Sequence, residues 1–117
     1  MRNFNINEFD SPDVKGSGAK MDSCFLEMLD NARDIAGIPF SINSGYRTLE
    51  HNAKVGGVNS SSHTRGVAVD IACKDSRGRF LIVSALKEAG FTRIGISDSF
   101  IHVDSDSDKA QDVIWTY

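Results

Sequence analysis

The segment SSSHTRGVAVDIAC, residues 60–73, decides how the rest of the sequence is interpreted. Its second half, GVAVDIA at 66–72, is rich in β-branched residues and predicts a buried strand. A carboxylate inside such a strand is costly unless it is paired or bound to a metal. Asp70 is that carboxylate, and His63 lies in the polar loop before the strand. The two side chains are therefore either routine strand and loop residues or two ligands of one metal ion.

The composition is that of an ordinary globular domain. The chain has 117 residues, of which 40% are hydrophobic and 25% charged, and we predict a single domain over 1–117. The net charge of −3 gives no electrostatic reason to expect a nucleic-acid partner. No apolar run approaches the roughly 20 residues that span a bilayer, so we expect no membrane association. We also expect a monomer.

The ends and the cysteines add little to this description. The first residues, MRNFNINEFDSPD at 1–13, have no apolar core after Arg2 and do not resemble a secretory signal, so we expect synthesis in the cytoplasm. Cys24 and Cys73 are the only cysteines, too few for a disulfide framework. We expect both to be small buried thiols.

The hydrophobic pattern predicts three helices and five strands. The first helix is capped by Asp22 or Ser23 and ends at Gly37, and the other two are predicted at 47–55 and 80–90. The predicted strands are 40–46, 66–72, 91–97, 100–104 and 112–117. This order predicts an α+β domain with a small, central, mostly antiparallel sheet and helices packed on one side of it.

A second strand repeats the pattern around Asp70. His102 lies in FIHVD, residues 100–104, as a polar group within an apolar run. The loop before Asp70 can fold back and bring His63 beside it. Two imidazoles and a carboxylate, with a fourth position open, form the usual ligand set of a catalytic zinc ion. Taken singly, a strand histidine is more often a hydrogen-bonded core residue, and a strand aspartate more often an ion-pair or turn partner.

A longer motif favours the metal site. SSHTRGVAVD, residues 61–70, fits S-x-H-x-x-G-x-A-x-D and resembles the zinc D-Ala-D-Ala carboxypeptidases and related endopeptidases, which act on bacterial peptidoglycan. Further segments similar to the same family are SGYR (44–47), HN (51–52), VGG (55–57), GFTRIGI (90–96) and FIHVD (100–104). The resemblance runs from about Glu8 to Asp104. It is closest to short, single-domain members, often encoded in phage and prophage.

The resemblance implies a role for individual residues. His63, Asp70 and His102 would bind Zn²⁺. Arg47 would bind the substrate carboxylate or the polarised carbonyl oxygen, and Ser61 would hydrogen-bond the substrate near the metal. The family fold, a small α+β domain with a central antiparallel sheet, agrees with the predicted elements. For Arg47 the chemistry agrees as well, because hydrolysis needs a cation where negative charge develops on oxygen.

The sequence departs from the family at the general base. Many members carry Asp or Glu three residues before the last histidine ligand, whereas this chain has Ser99, which cannot take a proton from water. Asp98 and Asp104 are the two candidates. We favour Asp104 slightly, because alternation along a strand places it on the same face as His102. The alternatives are a turn aspartate for Asp98 and a ligand-orienting partner for Asp104.

Two functions follow from these observations. The first is a zinc metallopeptidase that hydrolyses peptide bonds of peptidoglycan stem peptides or cross-links, with a metal-activated water as nucleophile. The second is a catalytically weak, zinc-containing module that binds the cell wall or belongs to a virion. Either would act at the cell wall, and the resemblance favours a phage or prophage lytic context. D-Ala-D-Ala, cross-bridge and L-Ala-D-Glu bonds are the alternative targets.

Overall fold

Five strands form a single sheet in the computed structural model, which describes residues 1–117. They are β1 (Ile42–Ser44), β2 (Ala68–Ala72), β3 (Arg93–Ile96), β4 (Phe100–Asp104) and β5 (Val113–Thr116). Their spatial order is β1-β2-β4-β3-β5. All neighbours pair antiparallel except β3 and β5, which are parallel. The predicted α+β class with a mostly antiparallel sheet is therefore confirmed.

The three predicted helices are present: α1 (Ser23–Ala36), α2 (Leu49–Lys54) and α3 (Ser76–Glu88). The Asp22 carboxylate caps α1 by accepting a hydrogen bond from the backbone N–H of Phe25. The same helix ends at Gly37, whose φ of +69° is a left-handed conformation that favours glycine. Both boundaries agree with the sequence prediction.

The other two helices begin at positions that the hydrophobic pattern missed. The carboxylate of Asp75 accepts a hydrogen bond from the backbone N–H of Gly78, so α3 starts before the apolar run that suggested it. The hydroxyl of Thr48 accepts a hydrogen bond from the backbone N–H of His51 and starts α2. A polar first turn carries no apolar periodicity, which explains the late start predicted for α3.

Alternation along the strands divides the sheet into an apolar face and a polar face. The apolar face packs against α1 and α3 and supplies much of a core of 19 buried residues, which includes Val69, Ile71, Ile94, Ile101 and Val103. The opposite face carries Asp70 and His102, which pair directly across β2 and β4. The helix α2 lies toward this second face, where its Asn52 contacts Arg47, so the expectation that the helices all pack on one side of the sheet is wrong.

Two further properties bear on the sequence predictions. None of the helices combines the length and apolar character needed to cross a membrane. Cys73 is buried as expected, but the expectation for Cys24 is wrong, because its side chain lies on the exposed surface of α1.

The contribution of the apolar face to stability can be measured with a substitution that leaves the polar face unchanged. Ile101 is fully buried and lies in β4 directly before His102, with its side chain on the opposite side of the sheet. We expect Ile101→Ala to lower the free energy of unfolding by about 2–5 kcal/mol, because it leaves a cavity in a packed core. Denaturant unfolding in the presence of chelator measures this. Ile35→Ala, at a residue that is 44% exposed on α1, is the control and should change stability far less.

Candidate metal centre

The structure brings His63, Asp70 and His102 together. Each offers one ligand atom, and these atoms all lie within 4.8 Å of one another. The Oδ1 atom of Asp70 is 2.9 Å from Nδ1 of His102 and 3.5 Å from Nε2 of His63. Two ligands of one tetrahedral zinc ion are separated by about 3.4 Å. The three side chains therefore have the spacing of a single-ion site.

Different local structures position the three side chains at the site. Asp70 and His102 are register partners in β2 and β4, so the sheet itself places them side by side. His63 lies in a 3-10 turn in which the Ser61 hydroxyl accepts a hydrogen bond from the His63 backbone N–H. The turn ends at Gly66, with φ +73°, where an added Cβ would come within 2.5 Å of a backbone oxygen. Only glycine fits there.

Hydrogen bonds outside the cluster determine which ring nitrogens face inward. Nδ1 of His63 lies 2.9 Å from the carbonyl oxygen of Gly45, which can only accept, so Nδ1 carries the proton. Nε2 of His102 lies 2.7 Å from Oδ2 of Asp104, a carboxylate oxygen that also accepts. The inner nitrogens, Nε2 of His63 and Nδ1 of His102, then present lone pairs to the carboxylate of Asp70. When both imidazoles are neutral, three electron-pair donors therefore meet at one point, and this arrangement fits a bound cation such as zinc.

The charges of the cluster agree with a site that attracts a cation. Burial alone lowers the pKa of His102, but the carboxylates of Asp104 and Asp70 outweigh it and hold that pKa above its ordinary value. Burial raises the pKa of Asp70, yet contacts with His102 and His63 more than offset it and hold the pKa well below its usual range. Protons and metal ions therefore compete for the same electron pairs.

Asp104 is held in place by several hydrogen bonds and in turn orients the ring of His102. The residue is 1% exposed, and its Oδ1 atom accepts hydrogen bonds from Nε of Arg93 at 2.7 Å and from the Asp106 backbone N–H at 3.1 Å. Arg93 is itself buried and donates through Nη1 to the carbonyl oxygen of Ala110 at 2.6 Å. Burial raises the pKa of Asp104, but hydrogen bonds from His102, Asp106 and Arg93 hold it below its ordinary value. The carboxylate is thus ionised and occupied on both oxygens.

The two candidates for the general base lie in very different places. Asp104 contacts the predicted ligand His102, on the strand face that alternation predicted, and its contacts are those of an orienting partner. Asp98 is exposed in the turn between β3 and β4, where its carboxylate accepts a hydrogen bond from the Ser97 hydroxyl at 3.3 Å. No hydrogen bond or ion pair joins Asp98 to the three predicted ligands.

Arg47 lies beside the cluster, as its predicted role requires. Its Nη2 atom is 3.6 Å from Oδ2 of Asp70, the oxygen that does not face the histidines. Nε donates to the Ser44 hydroxyl at 3.1 Å, and Nη1 donates to the Asn52 side-chain oxygen at 3.3 Å. These two contacts orient the guanidinium, and the side chain remains 16% exposed. A cation is therefore held at the edge of the site.

Ser61 and Asn52 show where sequence reasoning was incomplete. Ser61 is buried, and its hydroxyl caps the turn that carries His63, so its visible role is to shape the site. Asn52 is also buried, and its amide donates to the carbonyl oxygen of Val58 at 2.8 Å while its oxygen accepts from Arg47. Asn52 belongs to the HN segment at 51–52 that resembles the family, but no local pattern indicates its contact with Arg47.

Two other contributors to the site, Arg93 and Trp115, were missed. Arg93 is a charged residue inside the apolar segment FTRIGIS, the same signal that identified Asp70 and His102. The indole ring of Trp115 packs against the ring of His102, with centroids 5.5 Å apart. Trp115 reaches that position through the parallel pairing of β5 with β3, which no local pattern indicates.

An ionic network centred on the buried side chain of Asp106 ties the loop after β4 to the turn that carries His63. Asp106 is 3% exposed, accepts a hydrogen bond from the Ser62 hydroxyl at 2.6 Å and is paired with Arg65. Lys109 donates to the Ser62 hydroxyl at 2.9 Å. Because this loop also includes the Ala110 carbonyl that anchors Arg93, both histidines are supported from one side of the site.

The fold and the cluster define a small α+β domain with a metal site of the kind found in zinc peptidases. The chain matches the peptidase M15 family over residues 3–104 and belongs to that family. This confirms the family that the sequence motifs indicated. The chain is also similar to a zinc D-Ala-D-Ala carboxypeptidase from Streptomyces albus G, with 36% identity over 56 residues. That alignment covers 48% of this chain and 22% of the relative, so the chain spans only a small part of the relative's length.

The support of His102 by Asp104 can be measured as metal affinity. In Asp104→Asn, the amide NH₂ must face either His102 Nε2–H or the two donors from Arg93 and Asp106, so at least one donor loses its acceptor. We expect zinc affinity to fall by about 10–100-fold, measured by competition with a chromophoric chelator. Asp98→Asn makes the same chemical change at an exposed residue and should leave the affinity unchanged. Equal affinities in the two variants would contradict the orienting role.

Proposed function

We propose that the protein is a zinc-dependent peptidase that hydrolyses peptide bonds of bacterial peptidoglycan, in stem peptides or in cross-links. One observation carries this proposal: two histidine lone pairs and a carboxylate converge beside an oriented guanidinium. Membership of the peptidase M15 family supports the reaction class. The similarity to a zinc D-Ala-D-Ala carboxypeptidase supports zinc as the cofactor and a substrate that contains D-amino acids.

The residues of the chain would divide the chemistry between them. His63, Asp70 and His102 would hold the zinc ion, with the orientation that Gly45 and Asp104 impose on the two rings. When bound, zinc supplies a Lewis acid that polarises a carbonyl group and lowers the pKa of a water molecule to about 7. Arg47 would hold a substrate carboxylate or the carbonyl oxygen on which negative charge develops. Ser61 lies behind the His63 turn, and its contact with substrate remains part of the proposal.

The proton transfer needs a carboxylate, and we propose Asp104 ahead of Asp98 for it. Alternation along β4 supports this order because it places Asp104 on the face of His102, whereas Asp98 lies in an exposed turn. In the present geometry Asp104 contacts Nε2 of His102, the ring nitrogen that faces away from the metal position. Any role of Asp104 in accepting a proton requires one of its oxygens to give up a present partner.

A specific observation also favours the second function, a catalytically weak zinc module that binds the cell wall or belongs to a virion. The family position for the base holds Ser99, and both oxygens of Asp104 are already engaged. In either case we propose a monomer that acts at the cell wall on the peptide part of peptidoglycan, with no nucleic-acid or membrane partner. A phage or prophage lytic context is part of the same proposal.

Incubation with purified peptidoglycan separates the two functions. We expect the zinc-loaded protein to release new amino groups, and mass spectrometry of the products to identify the bond that is cut. A chelator should abolish the release, and added zinc should restore it, because the ligand set binds the metal reversibly. Sedimentation with peptidoglycan but no release of amino groups would favour the binding module. If the protein neither sediments with peptidoglycan nor releases amino groups from it, both functions are contradicted.

Replacement of Arg47 tests the oriented cation. We expect Arg47→Ala to lower kcat/KM by about 10²-fold or more while zinc content and the unfolding transition stay the same, because the lost contact acts on substrate charge. Arg77→Ala removes an exposed arginine from α3 and is the matched control. An unchanged kcat/KM in Arg47→Ala would show that Arg47 is only a surface residue of the site.

The identity of the base is tested by rates at saturating zinc. Asn keeps the size of Asp but loses its basicity, so the variant at the general base should lose about 10²–10⁴ in kcat even when fully loaded with metal. We expect that loss in Asp104→Asn and not in Asp98→Asn. Parental rates in both zinc-saturated variants would exclude both residues as the base.

A further inference from the structure

Three aromatic side chains lie on the same sheet face as the metal ligands. We name Phe100, Trp115 and Tyr117 the aromatic strip. Phe100 precedes His102 by two residues in β4 and shares its face. Gly95 is the register partner of both His102 and Trp115, so a row of residues runs from the ligand to the edge strand.

The inner part of the strip is held rigidly. Trp115 lies over Gly95, where an added Cβ would come within 2.6 Å of the indole Nε1 atom. The guanidinium of Arg93 stacks on the Trp115 ring at 4.9 Å, and the His102 ring packs against the same indole. Trp115 is therefore a fixed wall between the metal site and the outer part of the strip.

The outer part of the strip is open to solvent. Tyr117 is 70% exposed, and its ring packs on the half-buried ring of Phe100 with centroids 5.1 Å apart. Its backbone N–H donates to the carbonyl oxygen of Ile96 at 3.3 Å, which keeps the residue in line with the sheet. The exposed aromatic surface is thus presented on a fixed backbone beside the metal site.

The surroundings of the Tyr117 hydroxyl, which include the carboxylates near the metal site, raise its pKa. Partial burial is the largest cause that raises the pKa of this phenol above its ordinary value, and the indole N–H of Trp115 lowers it. The carboxylates of Asp70 and Asp104 raise the same pKa further. The hydroxyl is therefore protonated at neutral pH, and the aromatic strip carries no charge there.

The order of the strands determines what lies on each side of the metal ligands. Arg47 follows β1, the ligand carboxylate and His102 lie on β2 and β4, and the aromatic strip extends to β5. Strands are about 4.8 Å apart, so β5 lies about 10 Å beyond β4. An extended peptide covers that distance with about three residues. The cation and the strip therefore lie on opposite sides of the metal ligands.

We propose that the aromatic strip binds the acyl side of the peptide, that is, the residue that provides the scissile carbonyl and the units before it. Arg47 then takes a carboxylate on the leaving side. The open rings of Tyr117 and Phe100 are uncharged and suit the methyl and methylene groups of aliphatic side chains. This assignment rests on the proposed peptidase function. It adds the direction in which the peptide lies across the site, from the aromatic strip on the acyl side to Arg47 on the leaving side.

Two synthetic peptides test the assignment, built around the bond that the wild type cuts in peptidoglycan. The long peptide keeps the natural acyl-side groups out to the third unit, and the short peptide has a single acetyl-capped residue there. We expect Tyr117→Ala and Phe100→Ala to raise KM for the long peptide by about three- to tenfold, with kcat and zinc content unchanged. KM for the short peptide should change less than twofold.

Two further variants serve as controls. Tyr117→Phe keeps the ring and should behave as the wild type on both peptides. Phe80→Ala removes an aromatic residue that is 71% exposed on α3, and it should change neither KM. Equal changes on the two peptides, or no change on either, would overturn the assignment while the peptidase function stands. A zinc-loaded wild type that cuts no bond in peptidoglycan would overturn the proposed function and this assignment together.

Discussion

The whole site depends on one cross-strand pair, Asp70 in β2 opposite His102 in β4. Antiparallel pairing places their side chains on one face, next to each other, while Val69, Ile71, Ile101 and Val103 fill the core on the other face. A shift of the register by one residue would bury the carboxylate and the imidazole among apolar side chains. The same packing that stabilises the sheet therefore keeps the two polar groups at the site.

Everything else at the site can be understood as support for this pair. The His63 turn closes over Asp70, and a carbonyl oxygen from Gly45 sets the tautomer of its ring. The chain of contacts from Arg93 through Asp104 does the same for His102. Because both outer nitrogens face acceptors, the inner nitrogens of the neutral imidazoles have lone pairs to offer, and the carboxylate between them can then satisfy neither. A bound cation would resolve this arrangement, and the guanidinium of Arg47 lies beside it, 3.6 Å from the second carboxylate oxygen of Asp70.

The candidate ligands on the strands could be selected from the sequence because polar residues inside apolar strands are rare. Asp70 and His102 stand out in this way, and Arg93 carries the same signal. The strands and the α1 caps were also predictable, since both rest on local patterns. The supporting contacts were not, because the bond between Asn52 and Arg47 depends on how α2 folds back. The place of Trp115 depends on a parallel strand pair, which is formed by distant segments and leaves no local trace.

The central claim is that one zinc ion is held by Nε2 of His63, a carboxylate oxygen of Asp70 and Nδ1 of His102. Anomalous diffraction at the zinc absorption edge, from crystals of the zinc-loaded protein, tests it most directly. The account predicts one strong peak at about 2.0–2.2 Å from each of these three atoms, with Nε2 of His102 still bonded to Asp104. A peak bonded to Nε2 of His102, or zinc bound only elsewhere on the protein, would contradict it.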